Sequence, residues 1–312
     1  MKLSFEQICN ITTGAVSIQQ SADGIHFYRF TPTQTATFNS QSPHFRLRAL
    51  STTGITLDLI TDSDHITLDI SAGNKFEVYA DRLAVAFYDL SGPEVVCCPL
   101  PAGKKRVTVT LPSHVPGVIR SVELSDGASI EPCLHDLRVL FLGDSITQGW
   151  ESLRDSYSYT YIVTRHLNAE ALNYGLGGSR FSAATLEDVG FDADIVFISY
   201  GTNDYTFYPS MQVLKDECTA YMDAVRRLYP HSKVFCISPI WRSGGEQRLA
   251  TGTLDECREV IIREAEKRGF VHIDGYSLVP HMTEYYTDGL HPNDLGFALY
   301  GQNLVRQLQS YL

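Results

Sequence analysis

The sequence predicts two fold classes in one chain: an all-β jelly-roll or sandwich domain over residues 1–135, and an α/β domain with a five-stranded parallel sheet over residues 136–312. Three observations predict them. Up to residue 135, short stretches alternate apolar and polar residues between turn-prone clusters, as in sheets with one wet face. From Leu137 onward, short continuous apolar runs alternate with longer helical patterns, as for strands buried on both faces between helices. Most of those runs lead into a loop rich in glycine and polar residues.

In the first region the alternation is clearest in Ile55-Thr56-Leu57-Asp58-Leu59, Ile66-Thr67-Leu68-Asp69-Ile70 and Arg106-Val107-Thr108-Val109-Thr110-Leu111. Shorter runs at His44–Ala49, Phe76–Tyr79 and Leu83–Phe87 extend the pattern, so the region reads as β throughout. Ser51-Thr52-Thr53-Gly54, Ala72-Gly73-Asn74 and Ser91-Gly92-Pro93 supply turns. Many short strands at even spacing suggest a sandwich or jelly roll. Its five histidines, at 26, 44, 65, 114 and 135, lie far apart and form no ligand set. The pattern changes across Pro132–Asp136, which marks the domain boundary.

The second region begins with a strand at Val139–Leu142, a helix near Tyr157–Asn168 and a strand near Ala171–Tyr174. A strand at Ile195–Ile198, a helix over Met211–Leu228 and a strand at Val234–Ile237 come next. A helix near Leu254–Arg268 and a strand at Val271–Ile273 lead to a long loop. The closing helix starts from Pro292, a residue suited to a first helical turn, with Leu295, Ala298, Leu299, Val305, Leu308 and Leu312 as its apolar face.

Composition narrows the function. Hydrophobic residues at 44% and charged residues at 20% are ordinary globular values. The net charge is −11, with 10 basic and 13 acidic residues up to 135 and 15 and 23 beyond. Neither half has the basic footprint that a phosphate backbone demands, which argues against nucleic acid. Seven cysteines, an odd number without a C-x-x-C pair, indicate neither a disulfide framework nor a zinc site. Met1–Gln7 lacks the apolar core of a signal peptide, and no apolar run approaches the ~18 residues of a membrane span. The expectation is a reduced, cytoplasmic protein with no membrane partner; self-association is left open.

The chemistry lies in the loops that leave the strands. After the first strand come Gly143-Asp144-Ser145, after the second Asn173-Tyr174-Gly175-Leu176-Gly177-Gly178, after the third Gly201-Thr202-Asn203-Asp204, and after the fifth Asp288-Gly289-Leu290-His291. In a parallel sheet these loops emerge at one edge. A serine hydroxyl needs a base to become a nucleophile. His291 can serve Ser145 in that way, with Asp288 fixing its tautomer. A tetrahedral oxyanion needs donors: the backbone N–H of Ser145, that of Gly178 and the amide of Asn203.

The order Gly-Asp-Ser-Ile-Thr, Asn-x-Gly-x-Gly-Gly, Gly-Thr-Asn-Asp and Asp-x-x-His resembles the SGNH hydrolases, also called GDSL esterases, over residues 137–312. That resemblance implies a flavodoxin-like fold, a Ser145/Asp288/His291 triad and an oxyanion hole from Ser145, Gly178 and Asn203. The family's spacing after the asparagine favours Gly178 over Gly175 or Gly177. A β-sandwich ahead of such a domain is similar in architecture to two-domain carbohydrate esterases of family two and to related acyltransferases.

Trp150, Trp241, Tyr205, Phe207 and Tyr208 come after catalytic-edge strands. Trp150, Tyr205, Trp241 and Arg180 are the expected substrate contacts, on a rim suited to sugar-ring stacking or a small acyl pocket. Other chemistries find no motif. Gly175-x-Gly177-x-x-Arg180 lacks the third glycine of a dinucleotide fingerprint, and no Gly-x-Ser-x-Gly elbow, Walker A or His-Glu-x-x-His is present. No metal or cofactor is called for. The expected activity is hydrolysis of short acyl esters, acetyl foremost, of a carbohydrate or similar polyol. Acyl transfer to a sugar or metabolite hydroxyl, lipase or thioesterase activity, and carbohydrate binding without catalysis are the alternatives; ester hydrolysis and partition of the acyl group between water and alcohols separate them.

Overall fold

The sheet that organises the second half is built from five apolar runs. In a computed structural model that describes residues 1–311, these form β1 (Leu137–Gly143), β2 (Ala169–Gly175), β3 (Ile195–Ser199), β4 (Lys233–Ile237) and β5 (Val271–Ile273). All pairings are parallel, in the order β2-β1-β3-β4-β5, the flavodoxin-like order. Register places Gly143 between Gly175 and Ser199, so the strands of the site end level with one another. Phe141, Phe197 and Phe235 align across β1, β3 and β4, with ring centroids 5.1 and 5.3 Å apart.

The intervening segments form α1 (Ser145–Gln148), α2 (Tyr159–His166), α3 (Thr202–Phe207), α4 (Met211–Leu228), α5 (Leu254–Glu266) and α6 (Asp294–Leu308). Capping explains several starts. Thr253 and Glu256 form a reciprocal capping box on α5, and Ser210 caps α4. Tyr159 and Val163 of α2 and Phe297, Tyr300 and Leu304 of α6 share a core with Val139, Phe141, Phe197 and Phe235. The closing helix departs from expectation in two ways. Asn293 is its N-cap, accepting from Gly296 N–H, so Pro292 lies before the cap and not in the first turn. Leu295 is 56% exposed, and the buried face runs through Gly296, Phe297, Tyr300, Gly301, Leu304, Val305 and Leu308. Leu312, expected on that face, lies outside the described residues.

The first region contains two antiparallel sheets. One orders Thr12–Thr13, Thr56–Thr61, Lys105–Thr110, Lys75–Ala80 and Leu83–Asp89, with Glu131–Pro132 also on Thr56–Thr61; the other orders Ser17–Ser21, Gly24–Tyr28, Val118–Leu124, His65–Ala72 and Glu94–Pro99. Inward residues of both sheets, among them Leu57, Leu59, Val107, Val109, Ile66, Leu68, Ile119 and Val122, share one core, as a sandwich requires.

The region is not β throughout. Pro32–Gln41 and Pro43–Ala49 are helices, so the expected run at His44–Ala49 is a correction. Pro43 opens the second helix, where its missing N–H is not needed. Phe45 and Ala49, four residues apart, are buried while Leu47 is 70% exposed, a helical spacing and not the alternation of a strand. The chain divides into two compact units, Met1–Thr31 with Leu47–His135 and Pro32–Arg46 with Asp136–Leu312. The expected division at residue 135 is therefore crossed once, by Pro32–Arg46. Gln34 holds that excursion to Thr185 O at 3.1 Å and Gln41 holds it to Ser182 Oγ at 3.0 Å.

Candidate active site

Ser145 sits where β1 ends. Val139 through Leu142 are fully buried, Gly143 closes the strand, and Asp144 caps α1 by accepting from Ile146 N–H at 2.9 Å. The turn packs tightly on the next strand: a Cβ at Gly175 would run into the Gln148 backbone nitrogen. Asn173 ties the two together, donating to Thr147 O at 2.9 Å and Thr160 Oγ1 at 3.1 Å.

His291 reaches Ser145 from a turn more than a hundred residues away. Its Nε2 lies 2.8 Å from Ser145 Oγ, and its Nδ1 lies 2.8 Å from Asp288 Oδ2. The second oxygen of Asp288 accepts from Leu290 N–H at 3.0 Å and His291 N–H at 2.8 Å. Burial alone would raise the Asp288 carboxyl; the His291 N–H, the His291 ring and the Leu290 N–H outweigh it and hold the acid below its ordinary value. An ionised carboxylate only accepts, so Nδ1 carries the ring proton. Nε2 then offers a lone pair to the serine hydroxyl.

The glycine segment separates its own candidates. Gly175 N–H donates to Asn173 Oδ1 and Gly177 N–H to Gln148 Oε1, both at 2.8 Å. Gly178, at φ +83°, is half-buried and its N–H has no hydrogen-bond partner among the described residues. Asn203, on α3, is 7% exposed and gives one amide hydrogen to Ser179 O at 3.0 Å, which leaves the other available. Two acids went unremarked in the sequence. Burial pushes Asp144 and Asp204 up to about 7 each, against the Ile146 and Phe181 N–H groups that favour their ionised forms. Both stand inside recognised blocks, beside Ser145 and Asn203, and that adjacency was the signal.

The aromatic rim does not assemble as expected. Tyr205 is 2% exposed, and its hydroxyl donates to Gln247 O at 2.5 Å and Gly244 O at 3.2 Å, so it holds a loop. Tyr208 donates to Phe181 O, and Arg180 lies 5.0 Å over the Tyr208 ring. Phe207 is 61% exposed. Trp241 is half-buried and stacks on His281 at 6.0 Å and edge-on to Tyr286 at 5.1 Å. Trp150 is half-buried beside the serine turn, its backbone N–H donating to Ser145 O at 2.8 Å. Of the four expected contacts, Trp150, Trp241 and Arg180 remain partly open and Tyr205 does not. Among the described residues no group of three His, Cys, Asp or Glu side chains could hold a metal, and no helix is long and apolar enough to cross a membrane.

Comparison with known proteins agrees with this architecture. The model of the GDSL-like lipase/acylhydrolase family matches residues 141–299. No curated protein sequence matches the chain. Among solved structures, the chain is similar to the salicylyl-acyltransferase SsfX3 from a tetracycline biosynthetic pathway, at 19% identity and TM-score 0.82, covering 96% of this chain and 94% of that one. A family two carbohydrate esterase from Cellvibrio japonicus matches at 16% identity and TM-score 0.69, with 96% and 94% covered. One from Clostridium thermocellum, in complex with cellohexaose, matches at 17% identity and TM-score 0.67, with 84% and 93% covered.

Proposed function

The chain belongs to the GDSL-like lipase/acylhydrolase family and is a carboxylic ester hydrolase, and on that premise we propose a serine esterase that removes short acyl groups, acetyl foremost, from a carbohydrate or similar polyol. The observation that carries the reading is the relay Ser145–His291–Asp288, continuous at 2.8 Å per link. In the proposed reaction Ser145 Oγ attacks the ester carbonyl as its proton passes to His291 Nε2. The oxyanion accepts from the Ser145 and Gly178 N–H groups and from Asn203 Nδ2. Collapse expels the alcohol, protonated by His291, and leaves an acyl-serine. Water, deprotonated by the same nitrogen, then releases the acid and restores the serine.

Asn203 tests the oxyanion assignment. Asn203→Ala should lower kcat by about 10²–10³ with little change in KM. A raised KM with kcat kept would make Asn203 a substrate-binding residue instead.

Acyl length tests the pocket. A long-chain esterase buries each methylene for about 0.8 kcal/mol, so octanoate would gain up to ~5 kcal/mol, over a thousandfold, relative to acetate. The bulky Trp150, whose backbone N–H bonds Ser145 O at 2.8 Å, stands half-buried beside the nucleophile and favours a short acyl pocket over a long channel. Values of kcat/KM on p-nitrophenyl acetate, butyrate and octanoate should fall in that order, and an acetylated sugar should release acetate. A preference for octanoate would replace this reading with a lipase or thioesterase.

Likeness over nearly its whole length to an acyltransferase supports a second reading, in which an alcohol takes the acyl group from the same acyl-serine. Product ratios with added sugar alcohols distinguish the two.

A further inference from the structure

Arg242 comes just after β4, on a segment that touches both sides of the site. Its Nη1 donates to Thr206 Oγ1 at 3.0 Å and lies 3.4 Å from Thr202 O and Oγ1, on the helix that carries Asn203. Its guanidinium carbon stands 5.6 Å over the Tyr205 ring. The next residue, Ser243, donates its N–H to Gly289 O at 2.7 Å, within the turn of Asp288 and His291. The cation is thus fixed between the oxyanion side and the histidine side.

The other edge of the same guanidinium makes no hydrogen bond among the described residues. Nε is buried without a partner, and Nη2 makes no hydrogen bond among the described residues. No carboxylate oxygen there lies within 4.0 Å of it. Two other arginines of this unit are paired with acids, Arg258 with Asp274 at 2.5 Å, and Arg268 with Asp223 at 2.7 Å and Glu264 at 3.1 Å, while Arg226 donates to carbonyls of Pro230, Ser232 and Arg268. Burial draws the Arg242 guanidinium below its ordinary value, and Tyr205, Asp288 and Asp144 offset only part of that. Asp288 and Asp144 are near enough to act on it through the field, yet neither is in ion-pair contact with it. Nε and Nη2 form the side of the fork that takes a planar carboxylate through two parallel hydrogen bonds.

We propose that Arg242 receives a carboxylate of the substrate, so that the ester turned over is that of an acidic molecule and not of a neutral polyol. This rests on the esterase reading for the reaction and on the Arg242 geometry for the substrate class. The carboxylate can stand on the alcohol, as in a sugar acid, or on the acyl group, as in a dicarboxylic half-ester; the chemistry at Arg242 is the same.

The test compares two pairs of esters on the wild-type protein, each pair differing by one charge. On the alcohol side the pair is O-acetylated glucuronic acid and its methyl ester; on the acyl side it is 4-nitrophenyl hydrogen succinate and 4-nitrophenyl methyl succinate. One pair should favour the acid in kcat/KM by about 10–100-fold, as hydrogen bonds to a charged group imply, and that pair identifies the side. Arg242→Gln should bring this ratio to within about twofold of unity, and Arg242→Lys should keep part of it, since Lys retains charge without the fork. Ratios near unity in both pairs, or a ratio unmoved by Arg242→Gln, would overturn the proposal. If no ester is turned over and no serine is labelled by an organophosphonate, the esterase reading fails separately. Calorimetric binding of free glucuronate and succinate against their methyl esters, with wild type and Arg242→Gln, then decides Arg242: loss of acid selectivity in the variant supports it, and equal binding of acid and ester by wild type overturns it.

Discussion

Ser145→Ala should fold normally and lose nearly all ester hydrolysis. Its Oγ makes one hydrogen bond within the protein, to His291, and the cap of α1 is Asp144, so removing the hydroxyl leaves the local fold with its partners. The expected fall in kcat is about 10⁶, the scale for deleting a serine nucleophile. Rates on p-nitrophenyl acetate measure it, with thermal unfolding as the control for folding. Covalent labelling by an organophosphonate should disappear together with activity. A label that persists on another serine would sink the assignment, and with it the reading of β1 as the strand that delivers the nucleophile.

That strand was legible because a parallel sheet leaves little freedom. Strands buried on both faces must be continuously apolar, so Val139–Leu142, Ile195–Ile198 and Val234–Ile237 announce themselves without any period. Their loops then share an edge, and Ser145, Asn203 and His291 could be grouped from order alone. Among three glycines the sequence had only the family's spacing to favour Gly178. What separates Gly178 from Gly175 and Gly177 is that Asn173 Oδ1 and Gln148 Oε1 already hold the other two N–H groups, a matter of side-chain reach across strands.

The missed features depend on partners distant in sequence. Pro32–Gln41 is rich in Thr, Gln, Asn and Ser, with Phe38 its buried aromatic, and is held by hydrogen bonds to Thr185 and Ser182. Nothing local marks it as helical. Tyr205 was expected on a rim because it comes directly after Gly201-Thr202-Asn203-Asp204. Its hydroxyl is held by carbonyls at Gly244 and Gln247, and α3 turns its ring inward.

Asp288→Asn is the sharper probe of the relay, because it separates two duties of one side chain. Asp288 Oδ1 accepts from the Leu290 and His291 backbone N–H groups, and an amide oxygen can keep both bonds and so keep the turn. Where Oδ2 accepted from His291 Nδ1, the variant presents an N–H donor. The ring must then carry its proton on Nε2, facing Ser145, and can no longer take the serine proton. Folding should survive while kcat falls by up to about 10⁴, the figure where the equivalent carboxylate is fully buried. Asp288 is 48% exposed, and solvent that can replace part of its interaction pulls the loss toward smaller values. Asp288→Ala removes both duties, so it should lose thermal stability as well as rate. A loss under about tenfold in Asp288→Asn would mean that the Nδ1 contact does not set the working tautomer, and the base would then be oriented by the turn alone.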